Sequence, residues 1–274
     1  MIRNRKTGER TEPVSDEMDP VMFRNIPAVQ ISGEDAIRTT HEVIEEIPFA
    51  LFINGRHAMT AMMSPVQLED FVTGYLFTEQ IIKGVDEIES IRIEKNRISV
   101  LTKNLFKVVG PKKTILSGCG GSTSYIDTEK LPKIQSDLTI TPQMIRDRTK
   151  EGMESDLHVK TGGIHVVILS DKEKILARAE DIGRHNAMDR VIGFGLRTGI
   201  DFSQTFTVCS GRISSEMARK CLTANIPIMI SRGATTTLAI DIAQKTGLTV
   251  VAFARSQRMM IYTNPERIEG ALPL

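Results

Sequence analysis

Apolar residues occur in short runs separated by glycine, proline and polar turns, and the spacing within each run predicts an element. Residues 1–22 are polar, charged and aperiodic, the signature of a flexible leader. Residues 43–53 and 57–63 are apolar-rich around Asn54-Gly55, a pair that tolerates the positive φ angles of a tight hairpin turn. Ser64-Pro65 offers an N-cap and a proline at a first helical position. Val66, Leu68, Phe71, Val72, Tyr75, Leu76 and Ile82 then follow a helical stripe that stops near Gly84. A second hairpin is expected over 89–102, turning near Lys95-Asn96. Residues 110–140 read as an exposed connection, after which Thr141-Pro142 opens a short helix to about Lys150.

From Gly163 the pattern becomes regular. Runs at 164–169 and 175–179 predict a strand pair, followed by a helix at 185–196, a strand at 206–209 and a helix at 214–224. A strand at 227–230, a helix at 235–245 and strands at 248–254 and 259–263 complete the series. Strands alternating with helices of this length indicate βαβ units and a mainly parallel sheet flanked by helices. The fold class is therefore α/β, or α+β overall, because a smaller lobe of hairpins and a helix comes first. The expected organisation is a leader at 1–22, an N-terminal lobe at 23–140 and an α/β lobe at 141–274.

Composition narrows the function classes. Of 274 residues, 41% are hydrophobic and 25% charged, the mix of a soluble globular protein. No apolar run approaches the roughly 20 residues that span a bilayer, so no membrane association is expected. The first twenty residues lack the apolar core of a secretory signal. Three cysteines, Cys119, Cys209 and Cys221, are too few and too scattered for a disulfide framework or a four-ligand zinc site, which points to a reducing, cytoplasmic setting. The net charge of +1 argues against nucleic-acid binding by bulk electrostatics. Its distribution is uneven: residues 178–274 hold 12 basic and 8 acidic side chains, and ten of the twelve are arginine. Arginine's planar fork of donors suits phosphate or carboxylate, although a solvated arginine-rich surface has the same composition.

Position distinguishes these alternatives. Arg184 follows the 175–179 strand in Glu180-Asp181-Ile182-Gly183-Arg184-His185-Asn186, Arg212 follows the 206–209 strand, Arg232 the 227–230 strand, and Arg255 and Arg258 the 248–254 strand. Carboxyl ends of parallel strands share one edge of a sheet, where ligands bind in the crevice. Glycine in the turns admits close backbone approach, and helix N-termini present free N–H groups. One such turn is routine, but four in register predict a phosphate-rich site. No P-loop and no G-x-G-x-x-G motif is present.

Cys119 lies in Ser117-Gly118-Cys119-Gly120-Gly121-Ser122-Thr123-Ser124, where its neighbours cannot bury it and nearby Lys112 and Lys113 favour the thiolate. It is a candidate reactive thiol, whereas Cys209 and Cys221 sit within apolar runs as small core residues. A free cysteine on a mobile loop is the alternative for Cys119. His185, at one of the arginine turns, is the histidine most suggestive of function, against a plain capping role. The zinc-deaminase signature H-x-E with P-C-x-x-C is missing, so no metal is expected.

These residues carry a resemblance. The run from Glu180 through Gly193, Ser210-Gly211-Arg212-Ile213-Ser214-Ser215-Glu216-Met217, Phe253-Ala254-Arg255-Ser256-Gln257-Arg258 and Thr161-Gly162-Gly163-Ile164-His165 are similar to the formate dehydrogenase accessory (FdhD) sulfurtransferases, over roughly residues 40–268. The resemblance implies a protein that accepts sulfur from a cysteine desulfurase as a loop-cysteine persulfide. The sulfur passes to the molybdenum cofactor, Mo-bis(molybdopterin guanine dinucleotide), for formate dehydrogenase. It implies a second lobe like the cytidine deaminase fold without catalytic zinc. By residue it assigns the persulfide to Cys119 and cofactor contact to Phe253, Ala254, Arg255, Ser256, Gln257 and Arg258, beside the arginines Arg184, Arg212 and Arg232. The family loop is C-G-x-C-G; Ser122 stands at the second cysteine and Thr123 at the following glycine, so resolution of the persulfide by a second loop thiol is in doubt.

Two readings follow. In the first, Cys119 carries sulfur to a cofactor held at the arginine edge. In the second, the chain is a non-catalytic chaperone that binds and escorts the molybdenum cofactor. A nucleotide deaminase or hydrolase is a distant third. The partners expected are a desulfurase and formate dehydrogenase, not nucleic acid; a homodimer is compatible with the sequence but not specified by it.

Overall fold

The computed structural model describes residues 21–104, 113–115, 131–255 and 257–274. It opens with a hairpin that the sequence pattern does not announce: β1 (Phe23–Ser32) pairs antiparallel with β2 (Asp35–Ile44), and among the described residues this pair joins no larger sheet. Its apolar residues fall on both faces, Val29 and Ile31 on one and Ile26 and Ile37 on the other, so no single period stands out.

The first larger sheet contains β3 (Ile47–Ile53) and β4 (Arg56–Met63), followed after a helix, α1 (Leu68–Thr78), by β5 (Ile88–Glu94), β6 (Arg97–Thr102) and β7 (Lys113–Ile115), in the order β5-β6-β3-β4-β7. Both expected hairpins form, the first turning through Asn54 (φ 50°) and Gly55 (φ 78°). The expected cap of α1 does not. Gln67, in the left-handed region at φ 47° and ψ 41°, precedes the helix. Ser64 is used elsewhere: its N–H donates to Asp181 and its carbonyl accepts from Arg190. The helix also ends at Thr78, so Ile82 of the predicted stripe is buried beyond it.

Next come α2 (Pro142–Met153), capped by the Thr141 hydroxyl accepting from the Met144 N–H at 3.0 Å, and the short α3 (Asp156–Thr161). The second larger sheet is built from β8 (His165–Ser170), β9 (Ile175–Asp181), β10 (Phe206–Cys209), β11 (Ile228–Ser231), β12 (Thr249–Arg255) and β13 (Arg258–Thr263). Between them lie α4 (Arg184–Thr198), α5 (Ser215–Ala224) and α6 (Thr237–Thr246). The strand order is β13-β12-β11-β10-β8-β9. β10, β11 and β12 are mutually parallel, β8 is antiparallel to both β10 and β9, and β13 is antiparallel to β12. β9, β10, β11 and β12 therefore all run the same way and end at one edge.

Alternation along these strands fills both faces. Val167, Leu169, Cys209, Met229 and Val250 pack with α4, α5 and α6, whereas Val166, Ile168, Val208, Ile228, Ile230 and Val251 pack with Ile145 and Met153 of α2. Among the described residues no helix is long and apolar enough to cross a membrane.

The two sheets are joined through α1 and α4, which touch backbone to backbone. A Cβ on Gly193 would lie 1.8 Å from the Asp70 carbonyl oxygen, and one on Gly74 1.8 Å from that of Asp189. Two buried polar clusters flank this crossing. Asp181 pairs with Arg190 at 2.8 Å and accepts from the N–H groups of Ser64 and Gly183 and from Asn186 Nδ2. Arg190 also donates to the Glu180 and Ser64 carbonyls. Burial pushes the Asp181 carboxyl up, and this dense set of donors opposes it. In the second cluster Lys220 Nζ contacts Asp189 at 2.6 and 2.8 Å and donates to Thr78, whose hydroxyl donates to Asp189.

Candidate functional site

The turns after β10, β11 and β12 are stitched to one another. The Arg232 N–H donates to the Cys209 carbonyl at 3.0 Å, the Ile213 N–H to Ala234 at 2.9 Å and the Phe253 N–H to Gly233 at 2.9 Å. Ser231 Oγ donates to the Gly211 carbonyl at 2.6 Å, and Arg255 Nε to the Arg232 carbonyl at 2.7 Å. Hydrogen bonds of this kind fix the arginine-bearing turns relative to each other before any ligand arrives, which lowers the ordering cost of binding. Phe253 is exposed and held at φ 52°, a conformation uncommon for a bulky residue, at the irregularity between Ala252 and Arg255 in the β12–β13 pairing. Its neighbour Ala254 is buried.

Two clefts open on this edge. One, of about 600 Å³, lies between α2 and the β12–β13 turn and is lined by Arg146, Lys150, Arg232, Arg255, Gln257 and Arg258, with Asp147 and Glu154 also present. The other, of about 540 Å³, is lined by His158, His165, Ser210, Gly162, Arg232 and Arg255. Arg232 and Arg255 border both, so the clefts adjoin along a cationic ridge.

On the wall of the second cleft, Ser210 Oγ accepts from the Val166 N–H at 3.0 Å and lies 3.3 Å from His165 Nδ1. Burial, then the charges of Arg184 and His158, lower the His165 pKa, so its ring is neutral at pH 7. A side chain at Gly211 would press on both His165 Nδ1 and Arg184 Cδ, at 3.0 and 3.1 Å from its Cβ. The arrangement can therefore bind anions through guanidinium groups and offer neutral imidazole and hydroxyl groups beside them.

The family model for FdhD/NarQ matches residues 44–269. This chain belongs to the FdhD/NarQ family. A sulfur carrier protein FdhD from Staphylococcus aureus (strain MRSA252) is 33% identical over 252 residues, covering 88% of this chain and 95% of the relative. One from Staphylococcus haemolyticus is 34% identical over 244 residues, covering 85% and 92%. A crystal structure from Desulfotalea psychrophila, of a candidate formate dehydrogenase accessory protein, superposes with a TM-score of 0.77 at 28% identity, covering 90% of this chain and 100% of that one.

Within this family member the expected site residues separate into three groups. Arg232, Arg255, Gln257 and Arg258 line the first cleft together with Ala254. Arg184 packs beside His165 behind the second, while Arg212 is exposed and lines neither cleft, although its main chain packs against Gly233. Cys119 and Ser256 lie outside the described residues. Cys209 and Cys221 are fully buried, and burial pushes each thiol up to about 12, as suits core residues and not nucleophiles.

Asp181, Asn186, Asp189 and Arg190 lie in the buried clusters between the sheets and not at the clefts. Sequence reasoning missed Arg146 and Lys150. They flank the buried Ile145 and Thr149 on an amphipathic helix and read as a solvated face, because only the packing of α2 across the sheet brings them to the cleft.

Proposed function

We propose that this chain is a sulfurtransferase that carries sulfur as a persulfide on Cys119, from a cysteine desulfurase to the molybdenum cofactor that formate dehydrogenase requires. Membership of the FdhD/NarQ family and similarity to sulfur carrier proteins support the sulfur-transfer role. Similarity to a candidate formate dehydrogenase accessory protein supports the destination. The observation that carries the reading is the cationic ridge of Arg232 and Arg255 between two adjoining clefts. An acceptor with two guanine dinucleotide arms presents two diphosphates, and a ridge shared by two clefts suits such a ligand. The cofactor is bound here as substrate. Arg255, already tethered to the Arg232 carbonyl, and Arg258 would contact phosphate, and the exposed ring of Phe253 offers a flat apolar surface for a base.

In the transfer, the Cys119 thiolate attacks the outer sulfur of the donor persulfide. The donor's S–S bond breaks and its cysteine leaves as thiolate, so the step needs no oxidant. The acceptor then supplies the electron pair for a new bond to the outer sulfur and is itself oxidised by two electrons, while the S–S bond breaks and Cys119 leaves as thiolate. Thiol chemistry of this kind belongs in a reducing, cytoplasmic compartment.

Ser122, in the place of the family's second loop cysteine, favours a second reading in which the chain escorts the cofactor without carrying sulfur. Restoration of formate dehydrogenase activity in cells lacking this protein separates the two. On the sulfur-carrier reading, Cys119→Ser and the Arg255→Ala/Arg258→Ala pair both fail to restore activity. Full restoration by Cys119→Ser, with failure of the arginine pair, would establish escort. Restoration by the arginine pair would remove the strand-end edge as the site.

A further inference from the structure

The first residue of β8 reaches the strand-end edge because β8 runs against its neighbours. His165 pairs with Asp181, the last residue of β9, and Val167 pairs with Cys209, the last of β10. An antiparallel strand thus delivers its start where the parallel strands end. His165 stands there in the second cleft beside Ser210, Arg232 and Arg255, each carried by a different element.

Hydrogen bonds set the orientation of the ring and its tautomer. Ser210 Oγ accepts from the Val166 N–H at 3.0 Å, and its own proton has His165 Nδ1 at 3.3 Å as acceptor. A neutral ring that accepts at Nδ1 carries its proton on Nε2. Gly211 makes room for this arrangement. A Cβ there would lie 3.0 Å from Nδ1 and 3.1 Å from Cε1, so the Nδ1–Cε1 edge lies against the turn and Nε2 is the polar atom left for the cleft.

We propose that the second cleft is a phosphate subsite in which the His165 Nε2–H donates to a phosphoryl oxygen whose charge Arg232 and Arg255 neutralise, the ligand being the diphosphate of a nucleotide. This rests on the reading of the arginine ridge as a phosphate site, and it adds a residue outside the Phe253–Arg258 segment. The first cleft includes Asp147 and Glu154, whereas among the described residues the second is lined by two arginines, two histidines and a serine with no carboxylate. An anion is therefore better placed in the second. Arg255 is already fixed by its Nε on the Arg232 carbonyl. A third cation beside these two would repel both; a neutral imidazole adds a directional donor without that cost. Burial, with the charges of Arg184 and His158, keeps the ring neutral. Donors arriving from three separate elements suit the tetrahedral oxygens of a phosphoryl group, where a planar carboxylate would meet only two of them.

The test is titration calorimetry of the full chain with GDP and with inorganic pyrophosphate at pH 7.5, alongside nitrogen NMR of histidine-labelled protein. The free chain should show His165 protonated at Nε2 and unprotonated at Nδ1. GDP and pyrophosphate should each move the Nε2 signal, and guanosine should not. His165→Ala should weaken both ligands at least about tenfold, the loss of one hydrogen bond to a charged group. His165→Gln, whose amide keeps a donor in the cleft, should recover most of that loss. If the wild type binds GDP and Arg255→Ala abolishes binding, while His165→Ala binds unchanged, the subsite is overturned and the ridge stands. A loss in His165→Ala that His165→Gln does not recover, with an Nε2 signal that pyrophosphate leaves in place, would make the ring a structural element and also overturn it. A wild type that binds neither ligand overturns both the subsite and the ridge.

Discussion

His185 has a carboxylate within reach and is nevertheless held neutral. Its Nε2 lies 3.2 Å from Glu216 and 3.5 Å from Ser214, contacts that would favour a protonated ring. Burial outweighs them and, with the charges of Lys220, Arg184 and His165, brings the histidine down to about 3. An unfolded histidine takes up its proton near pH 6.5. The folded state refuses that proton, so the stability His185 contributes is complete above about pH 6.5 and is lost as pH falls towards 3. Between pH 6.5 and 5 the loss is about 2 kcal/mol. The urea midpoint of the wild type should therefore drop relative to His185→Gln across that window. Parallel midpoints would mean that His185 titrates normally.

At this scale the sequence is informative where a side chain's place in the fold follows directly from its position in the chain. The arginines after β11 and β12 follow strand ends directly, so alternation alone placed Arg232, Arg255 and Arg258 together. Arg212 shows the limit of that logic: a residue can occupy the right turn and still point to solvent. Nothing local marks Arg146 and Lys150, whose place in the cleft depends on which face of the sheet α2 covers.

Among the elements, the contact of α1 with α4 is the least tolerant of change. Gly193 and Gly74 are there because each backbone occupies the space of the other's missing side chain. Gly193→Ala should cost at least about 3 kcal/mol in urea unfolding, since a Cβ 1.8 Å from a main-chain oxygen can be relieved only by separating the helices. A loss below 1 kcal/mol, the ordinary range of a surface substitution, would show that the helices do not approach so closely.

The same scale shows why some elements could be read and others could not. β8, β10, β11 and β12 are legible because both faces of their sheet are covered, so each is a short, nearly continuous apolar run bounded by turn residues. The β1–β2 arm distributes its apolar residues over two faces and carries Pro27 within a strand, so it produces no period. Ser64-Pro65 has the local chemistry of a helix start, but Ser64's main chain is held by Asp181 and Arg190, more than one hundred residues away in the chain.

For the molecule as a whole, the buried clusters and the α1–α4 contact join the two sheets, and cationic groups from α2 and from the turns after β11 and β12 line one cleft at the strand-end edge. Binding there should be electrostatic. Guanine nucleotide affinity should fall steadily as ionic strength rises from about 0.05 to 0.5 M, because partly exposed arginine–phosphate contacts are screened over about 10 Å at 0.1 M salt. Affinity that stays flat in titration calorimetry would remove the ridge of Arg232 and Arg255 as the phosphate site.

The central claim is the persulfide on Cys119, and intact-protein mass tests it most directly. After incubation with a cysteine desulfurase and cysteine, the wild type should gain about 32 Da, one sulfur atom, reversible by reductant. Cys119→Ser should gain nothing, whereas Cys209→Ser and Cys221→Ser, which alter only buried thiols, should behave as wild type. A full gain in Cys119→Ser, or none in the wild type while guanine nucleotide still binds, would contradict the account.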